Sequence, residues 1–512
     1  MNKQSLMAYA RGDKAVDIVV KNAQVVNVFT GKLMPTSVAI HQGIFVGFGD
    51  YQAKTVIDAQ GAYMVPGFID GHVHIESSML LPGEFAKVIV PKGTTSIIAD
   101  PHEIANVSGV KGIEYLLELS KNIPLNVYMM APSCVPATRF EHAGATVSKD
   151  DIAKLKTLPG ILGLGEVMDY PSVIAGDSDI FAKLNIMQER MIDGHAPDIT
   201  GMMLNAYSTA GVKTDHECTN QACMTARLER GMFVHLREGS QTRNVRDLLP
   251  GITNENSHRI LFCTDDKHPE DIIREGHINY NVNLAIDYGI DAIRAIQMAT
   301  INTGVAYKLN NVGAIAPGYK ADFFFSKSLA KVDPFVVYKD GEKVAEDNSP
   351  LFETTVYKEA ALCDTIHIDV SQLDFRLPLK SNTVYAIGIV KNNITTTKET
   401  VEVDIKDGQY QHNPKTDLLK IAVIERHRNT NQMGIALLKG FGLKNGAIAM
   451  SIAHDSHNII VVGDSDQAML TAVSKLNDIH GGIVVVKGNT VAHTLALEVA
   501  GIISTEPYTV VA

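Results

Sequence analysis

The stretch VPGFIDGHVHIESS, residues 65–78, ends an apolar run with His72 and His74 one residue apart, and Glu76 takes the next alternate position. In an extended strand, residues two apart project to the same side, so both imidazoles can address one ion. A lone His-x-His pair is weak evidence, but it has company. Glu166 ends the run ILGLGEVMD, His195 ends RMIDGHAP, His216 ends GVKTDHE, and Asp265 ends RILFCTDD. Four neutral imidazoles and two carboxylates suit one or two borderline divalent ions such as zinc, manganese or iron. A carboxylate between two subsites can bridge a pair of ions, and Glu166 is placed for that.

Such distant residues meet only if the fold gathers them. Eight short apolar runs lie between residues 66 and 305, each followed by a segment of helical pattern. Repeated βα units with buried strands predict a (β/α)8 barrel, a TIM barrel of the α/β class, whose strands all end on one face. Seven of the eight run ends carry His or a carboxylate, where ordinary solvent-facing ends would show a mixture of Ser, Lys, Asn and Asp. Residues 1–65 and 306–365 read as short β-type runs broken by glycines, two parts of one small β-sandwich flanking the barrel. Residues 366–512 mix strands with a helix at SDQAMLTAVSKLNDIHG and read as an additional C-terminal α/β domain. The first residues read as a short amphipathic helix.

Other groups sit close to these ends. Asp100, His102 and Glu103 follow the second run, Ser133 the third, and His235, Arg237 and Glu238 the seventh. Glu76, His102 and Glu103 are candidates to support the ligands, hold another ion or touch substrate. Arg237 and Glu238 are set to bind a substrate edge or to pair with each other near the surface. Asp266 supports the metal ligands, holds substrate or starts a helix. Glu217, next to His216, is a candidate acid; as a helix-start carboxylate it would instead stabilise the following amides. His454, Asp455 and His457 form a polar cluster in the last domain, either a loop over the barrel mouth or a plain turn.

The totals restrict partners. The chain has 512 residues, too many for one core, with 45% hydrophobic and 20% charged residues. A formal net charge of −11 without a long basic run argues against nucleic acid or an anionic membrane as partner. Five scattered cysteines give no disulfide framework and no thiolate zinc site, which fits a reducing cytoplasm. No apolar stretch reads as an export or membrane segment. No serine sits in a nucleophile elbow, and no Pro-Cys-x-x-Cys segment of the cytidine-type zinc deaminases is present.

PGFIDGHVHIESS resembles the signature of the amidohydrolase superfamily. More narrowly, HVHIESSM, ADPHEIANV, GLGEVMDY, IDGHAP, STAGVKTDHE, HLREGS and LFCTDDKHPE together resemble the bacterial adenine deaminase family, and the C-terminal segment with AHDSHNIIVVG is similar to that family's extra domain. The resemblance implies a two-ion centre, usually Mn2+ or Fe2+ with Zn2+ as a further option. His72, His74, His195, His216 and Asp265 would be ligands and Glu166 the bridge. It implies hydrolysis of adenine to hypoxanthine and ammonia in purine salvage, by attack of a bridging hydroxide on the amino-bearing carbon. Asp265 would move the water proton and Glu217 protonate the ring. The expected protein is a cytoplasmic homo-oligomer acting on a small molecule. Glutamate at the fourth strand departs from the carboxylated lysine of hydantoinase- and dihydroorotase-like members. Two alternatives stand beside this reading: another amidohydrolase acting on an amide or cyclic amide, and a metal-free scaffold.

Overall fold

The computed structural model describes residues 3–391 and 395–512. All eight expected barrel strands are present: β1 (Phe68–Val73), β2 (Thr94–Ala99), β3 (Asn126–Ala131), β4 (Ile161–Val167), β5 (Met191–Gly194), β6 (Thr214–Asp215), β7 (Phe233–Arg237) and β8 (Ile260–Cys263). They run parallel in sequence order, β1 to β5 in one sheet and β6 to β8 in another. The amide of Lys213 donates to Ile192 O at 3.1 Å, linking β5 to β6. A parallel bridge between Val73 and Asp265 joins the end of β8 back to β1. Because parallel strands are covered on both faces, β1, β2 and β8 are buried at every residue; β8 is apolar throughout, whereas β1 carries Asp70 and His72 and β2 opens on Thr94–Ser96.

The two flanks form one nine-stranded sheet. Strand Phe323–Ser326, after the barrel, pairs antiparallel with Tyr63–Pro66, before it, with Phe324 opposite Val65. Alternation explains FFF in the first of these. Phe323 and Phe325 pack with Val38, Ile40 and Phe45 in the sheet's own core, whereas Phe324 points to the barrel side, where its ring centroid lies 4.8 Å from that of Phe68. The expected N-terminal helix spans Lys3–Ala10; Met1 and Asn2 lie outside the described residues.

The C-terminal segment builds a separate eight-stranded sheet. Helix Asp466–Asp478, capped by Ser465, covers it through Ala468, Met469, Ala472, Val473 and Leu476, a spacing that gathers one helix face. Strand Gly446–Met450 leads into a loop, residues 451–458, that reaches the barrel. Ser456 Oγ donates to Glu141 Oε2 at 2.8 Å, and Asn458 Nδ2 to His142 O at 3.1 Å. Among the described residues, no helix is long and apolar enough to cross a membrane.

Candidate metal centre

His72, in β1, and His74, just past its end, extend the strand alternation, and their Nε2 atoms lie 3.1 Å apart. The backbone tightens here. Gly71 leaves room for the His235 ring, which a Cβ would meet at 2.8 Å. Beyond His74 the alternation stops: residues Ile75–Ser78 form a 3-10 turn. Glu76 therefore does not continue the His72–His74 face, because the turn rotates it toward the Ile104 amide, which donates to its Oε1 at 3.1 Å.

Asp265 follows β8 with φ 57°, a conformation sparsely populated by non-glycine residues. Its amide donates to His72 O at 2.9 Å. This pins its carboxylate beside β1, with Oδ1 at 3.0 Å from His74 Nε2 and 3.4 Å from His72 Nε2. Glu166 is fixed through its backbone: its amide donates to Asp100 Oδ2 at 2.8 Å, and its carbonyl accepts from Ser133 Oγ at 2.5 Å. Gly165 makes this approach possible, since a Cβ would sit 2.2 Å from the same Asp100 oxygen.

Glu166 spans two groups of imidazoles. Its Oε1 lies 3.3 Å from His74 Nε2 and 3.8 Å from His72 Nε2. Its Oε2 lies 2.8 Å from His195 Nδ1 and 3.3 Å from His216 Nε2, and those two nitrogens are 3.3 Å apart. All but His195 are buried. The arrangement fits a pair of cations on its own chemistry. His72 Nδ1 faces Asp193 Oδ2 at 3.1 Å and His74 Nδ1 faces the Asp100 carbonyl at 2.8 Å, so each neutral ring carries its proton on Nδ1. Their Nε2 lone pairs then face each other and a carboxylate, with no hydrogen between them. Glu166 Oε2 is buried without a hydrogen bond among the described residues.

The local charges favour positive occupants. His72 is raised to about 10: burial opposes its charge, but Asp193, Asp265 and Glu166 outweigh burial. His195 is raised to about 9 against burial, chiefly by Glu166. Burial would push Asp193 up, yet its bond to His72 and the nearby imidazoles bring it to about 2. Divalent ions need neutral rings, so loading releases protons. Affinity for Mn2+ is expected to rise with pH from 6 to 9, as protons leave His195 and His72. Calorimetric titration in buffers of different ionisation heat should register that release; uptake without protons would contradict it.

The remaining candidates are distributed around a cavity of about 620 Å3 at the barrel mouth. Glu76, His102, Glu103, Glu217, Arg237 and Asp266 line it. Arg237 does not pair with Glu238, and neither lies at the surface. Its guanidinium grips Glu217, with Nη2 to Oε2 at 3.1 Å and a second Nη1–Oε1 contact, and reaches Asp265 Oδ2 at 3.0 Å. Glu238 is not among the lining residues. Successive residues of β7 point to opposite sides, and Glu238 accepts from the Val245 amide at 3.4 Å. Glu217 starts no helix, because the next one begins at Gln221 with Asn220 as its cap. Neither does Asp266, which accepts from Ser77 Oγ at 2.5 Å. His235 turns into the barrel interior beside Tyr307, with Nε2 3.2 Å from the hydroxyl.

One feature escaped sequence reasoning. Asp193 orients His72, and a repeat could have exposed it: IDGH occurs at both 69–72 and 192–195. Of the two readings for the His454, Asp455 and His457 cluster, the loop over the barrel mouth is the one found: the C-terminal domain supplies cavity wall through Met450, Ile452, His454, Asp455 and Ile483.

A barrel whose strand ends carry this histidine–carboxylate centre is the architecture of metal-dependent hydrolases, and residues 63–357 match the amidohydrolase family. The crystal structure of a beta-aspartyl dipeptidase from Fervidobacterium islandicum AW-1 shares the fold at TM-score 0.51 and 14% identity, covering 67% of this chain and 100% of that one. Residues 393–512 match the adenine deaminase C-terminal domain. Adenine deaminase 2 of Carboxydothermus hydrogenoformans is 46% identical over 502 residues, 98% of this chain and 88% of that protein. The adenine deaminase of Petrotoga mobilis is 42% identical over 511 residues, 99% and 89% of the two chains. The chain belongs to the adenine deaminase family of the amidohydrolases, and the family implies a divalent-metal cofactor.

Proposed function

We infer that this chain hydrolyses adenine to hypoxanthine and ammonia. The observation that carries the inference is the 46% identity to an adenine deaminase over 98% of the chain, the C-terminal domain included. In this reading His72, His74 and Asp265 would hold one divalent ion and His195 and His216 a second, with Glu166 shared between them. The ions are manganese or iron, and the donor set also admits zinc. When bound, such a pair supplies an activated water at neutral pH and polarises the reacting centre.

The chain's own residues must move protons. Hydrolysis places the water oxygen on the amino-bearing carbon and breaks the carbon–nitrogen bond. One water hydrogen ends on the adjacent ring nitrogen and the other on departing ammonia. Asp265 stays ionised, so it is free to take up a proton, and its low basicity makes it release that proton readily. Burial would raise its pKa, but the Arg237 charge and the contacts with His72 and His74 hold it well below the usual range. In this reading it passes that proton to the amine. Glu217, 3.5 Å from both His195 Nδ1 and His216 Nε2, relays the second proton to the ring nitrogen. Arg237 positions both carboxylates. Asp266, Glu76, His102 and Glu103 stay as candidates for binding the purine or supporting the ligands. Glu238, outside the cavity wall, is left to hold the following loop.

The same reading assigns residues 1–65 and 306–365 to the flanking β unit, 66–305 to the catalytic barrel and 366–512 to a domain that walls the cavity. It also makes the protein a cytoplasmic homo-oligomer in purine salvage, acting on a free small molecule with no nucleic-acid or membrane partner. The test is ammonia release from a purine panel by Mn2+-loaded protein. Release from adenine, with little from adenosine or cytosine, supports the reading; no ammonia from adenine, with hydrolysis of an amide or ring opening of a cyclic amide instead, would overturn it. Glu217→Gln is expected to lower kcat by about 10²-fold or more with metal content kept. Unchanged turnover would remove Glu217 from the proton path.

A further inference from the structure

A second group of ligand-type side chains lies on the other side of His102 from Glu166. Its centre is Glu103, 1% exposed, in the first turn of helix His102–Leu119. His457 Nε2 meets Glu103 Oε2. His454 Nδ1 stands 2.5 Å from Glu103 Oε1, and His102 Nε2 stands 3.4 Å from the same oxygen. Asp455 Oδ1 is 3.9 Å from His102 Nε2. The barrel supplies Glu103 and His102; the 451–458 loop of the C-terminal domain supplies the rest.

Ordinary ion pairing accounts poorly for this group. Three imidazoles surround one carboxylate, and both His454 and His102 approach Glu103 Oε1, yet that oxygen has no hydrogen bond among the described residues. The rings come close but off the line a donated N–H requires. Glu76 Oε2 and His457 Nδ1 are likewise buried and without hydrogen-bond partners. Buried polar atoms of this kind call for an explanation, an ion being one. The ligand loop is also held from behind. Fully buried Arg426 donates to the His457 carbonyl, to Thr365 O at 3.1 Å and to Ala500 O at 2.9 Å. The His427 ring contacts Ser456 O at 2.7 Å. Neighbours that orient ligands without binding the ion are what a built cation site requires.

We propose that Glu103, His102, His454 and His457 bind a further divalent cation, distinct from the pair bridged by Glu166, that fastens the C-terminal domain onto the barrel mouth. Imidazole with carboxylate selects the same borderline metals as the first centre. His102 belongs to both neighbourhoods, because its Nδ1 lies 3.3 Å from Glu166 Oε1. The inference rests on side-chain geometry alone and does not depend on adenine being the substrate.

The test uses the full chain, stripped with chelator, reloaded with Mn2+ alone and dialysed. Elemental analysis is expected to return about three Mn2+ per chain, and His454→Gln/His457→Gln about two, as two imidazole donors are lost. Wild-type crystals grown with Mn2+ should show an anomalous peak between Glu103 and His457. That measurement decides the matter even where the variant does not fold. About two ions per wild-type chain, with no peak at Glu103, would overturn the proposal and leave a proton-held ion pair.

Discussion

Asp265→Asn is expected to cut kcat by about 10²–10⁴-fold, the range for losing a positioned proton carrier, while the protein still binds metal. The geometry separates the two effects. One oxygen, Oδ1, faces the His72 and His74 nitrogens at 3.4 and 3.0 Å, and the amide oxygen of asparagine can take its place. What asparagine cannot do is accept and release a proton at neutral pH. Arg237 keeps its contacts with Glu217, so the substitution does not leave a buried guanidinium without a partner. Steady-state turnover together with metal content checks this. Near-normal kcat would remove Asp265 from the proton path, whereas loss of all metal would make it a ligand before anything else.

His195→Ala is expected to lose both turnover and one ion. Its Nδ1 is the nitrogen nearest Glu166 Oε2, at 2.8 Å, and with His216 it makes up the imidazole pair that the proposed function assigns to the second ion. Substituting groups that merely support a ligand costs about 10–100-fold in affinity or activity, so removing a direct donor should cost more. Elemental analysis after dialysis, with activity measured across added Mn2+, gives the readout. Recovery at high Mn2+ would place the defect in affinity; full metal content with normal kcat would remove His195 from the centre. His72→Ala should act on the other subsite and also release Asp193, which is buried against that ring.

The sequence was most informative where backbone periodicity and chemistry coincide. His72 and His74 could be placed on one side because a strand turns its side chains over every two residues, and Glu166, His195, His216 and Asp265 could be linked because parallel barrel strands end on one face. Eight apolar-rich runs were enough for the barrel, since buried parallel strands are rich in apolar residues. One FFF strand and the alternating valines of the first residues were enough to expect a flanking sheet, although its joining across the barrel segment shows only in the register of Phe324 with Val65. Glu76 shows where periodicity fails: the chain leaves the strand at Val73, and the 3-10 turn re-aims the carboxylate.

By itself, then, the order of residues determined the barrel, its flanking strands and which imidazoles and carboxylates gather at the strand ends, because each of these is written in local spacing. Only the tertiary structure decided who partners whom. Arg237 clasps Glu217 rather than its neighbour Glu238, Asp193 rather than solvent orients His72, and Glu103 meets His454 and His457 from more than 300 positions away along the chain. Those choices depend on side-chain direction and on contacts between elements far apart in sequence, which no short pattern records.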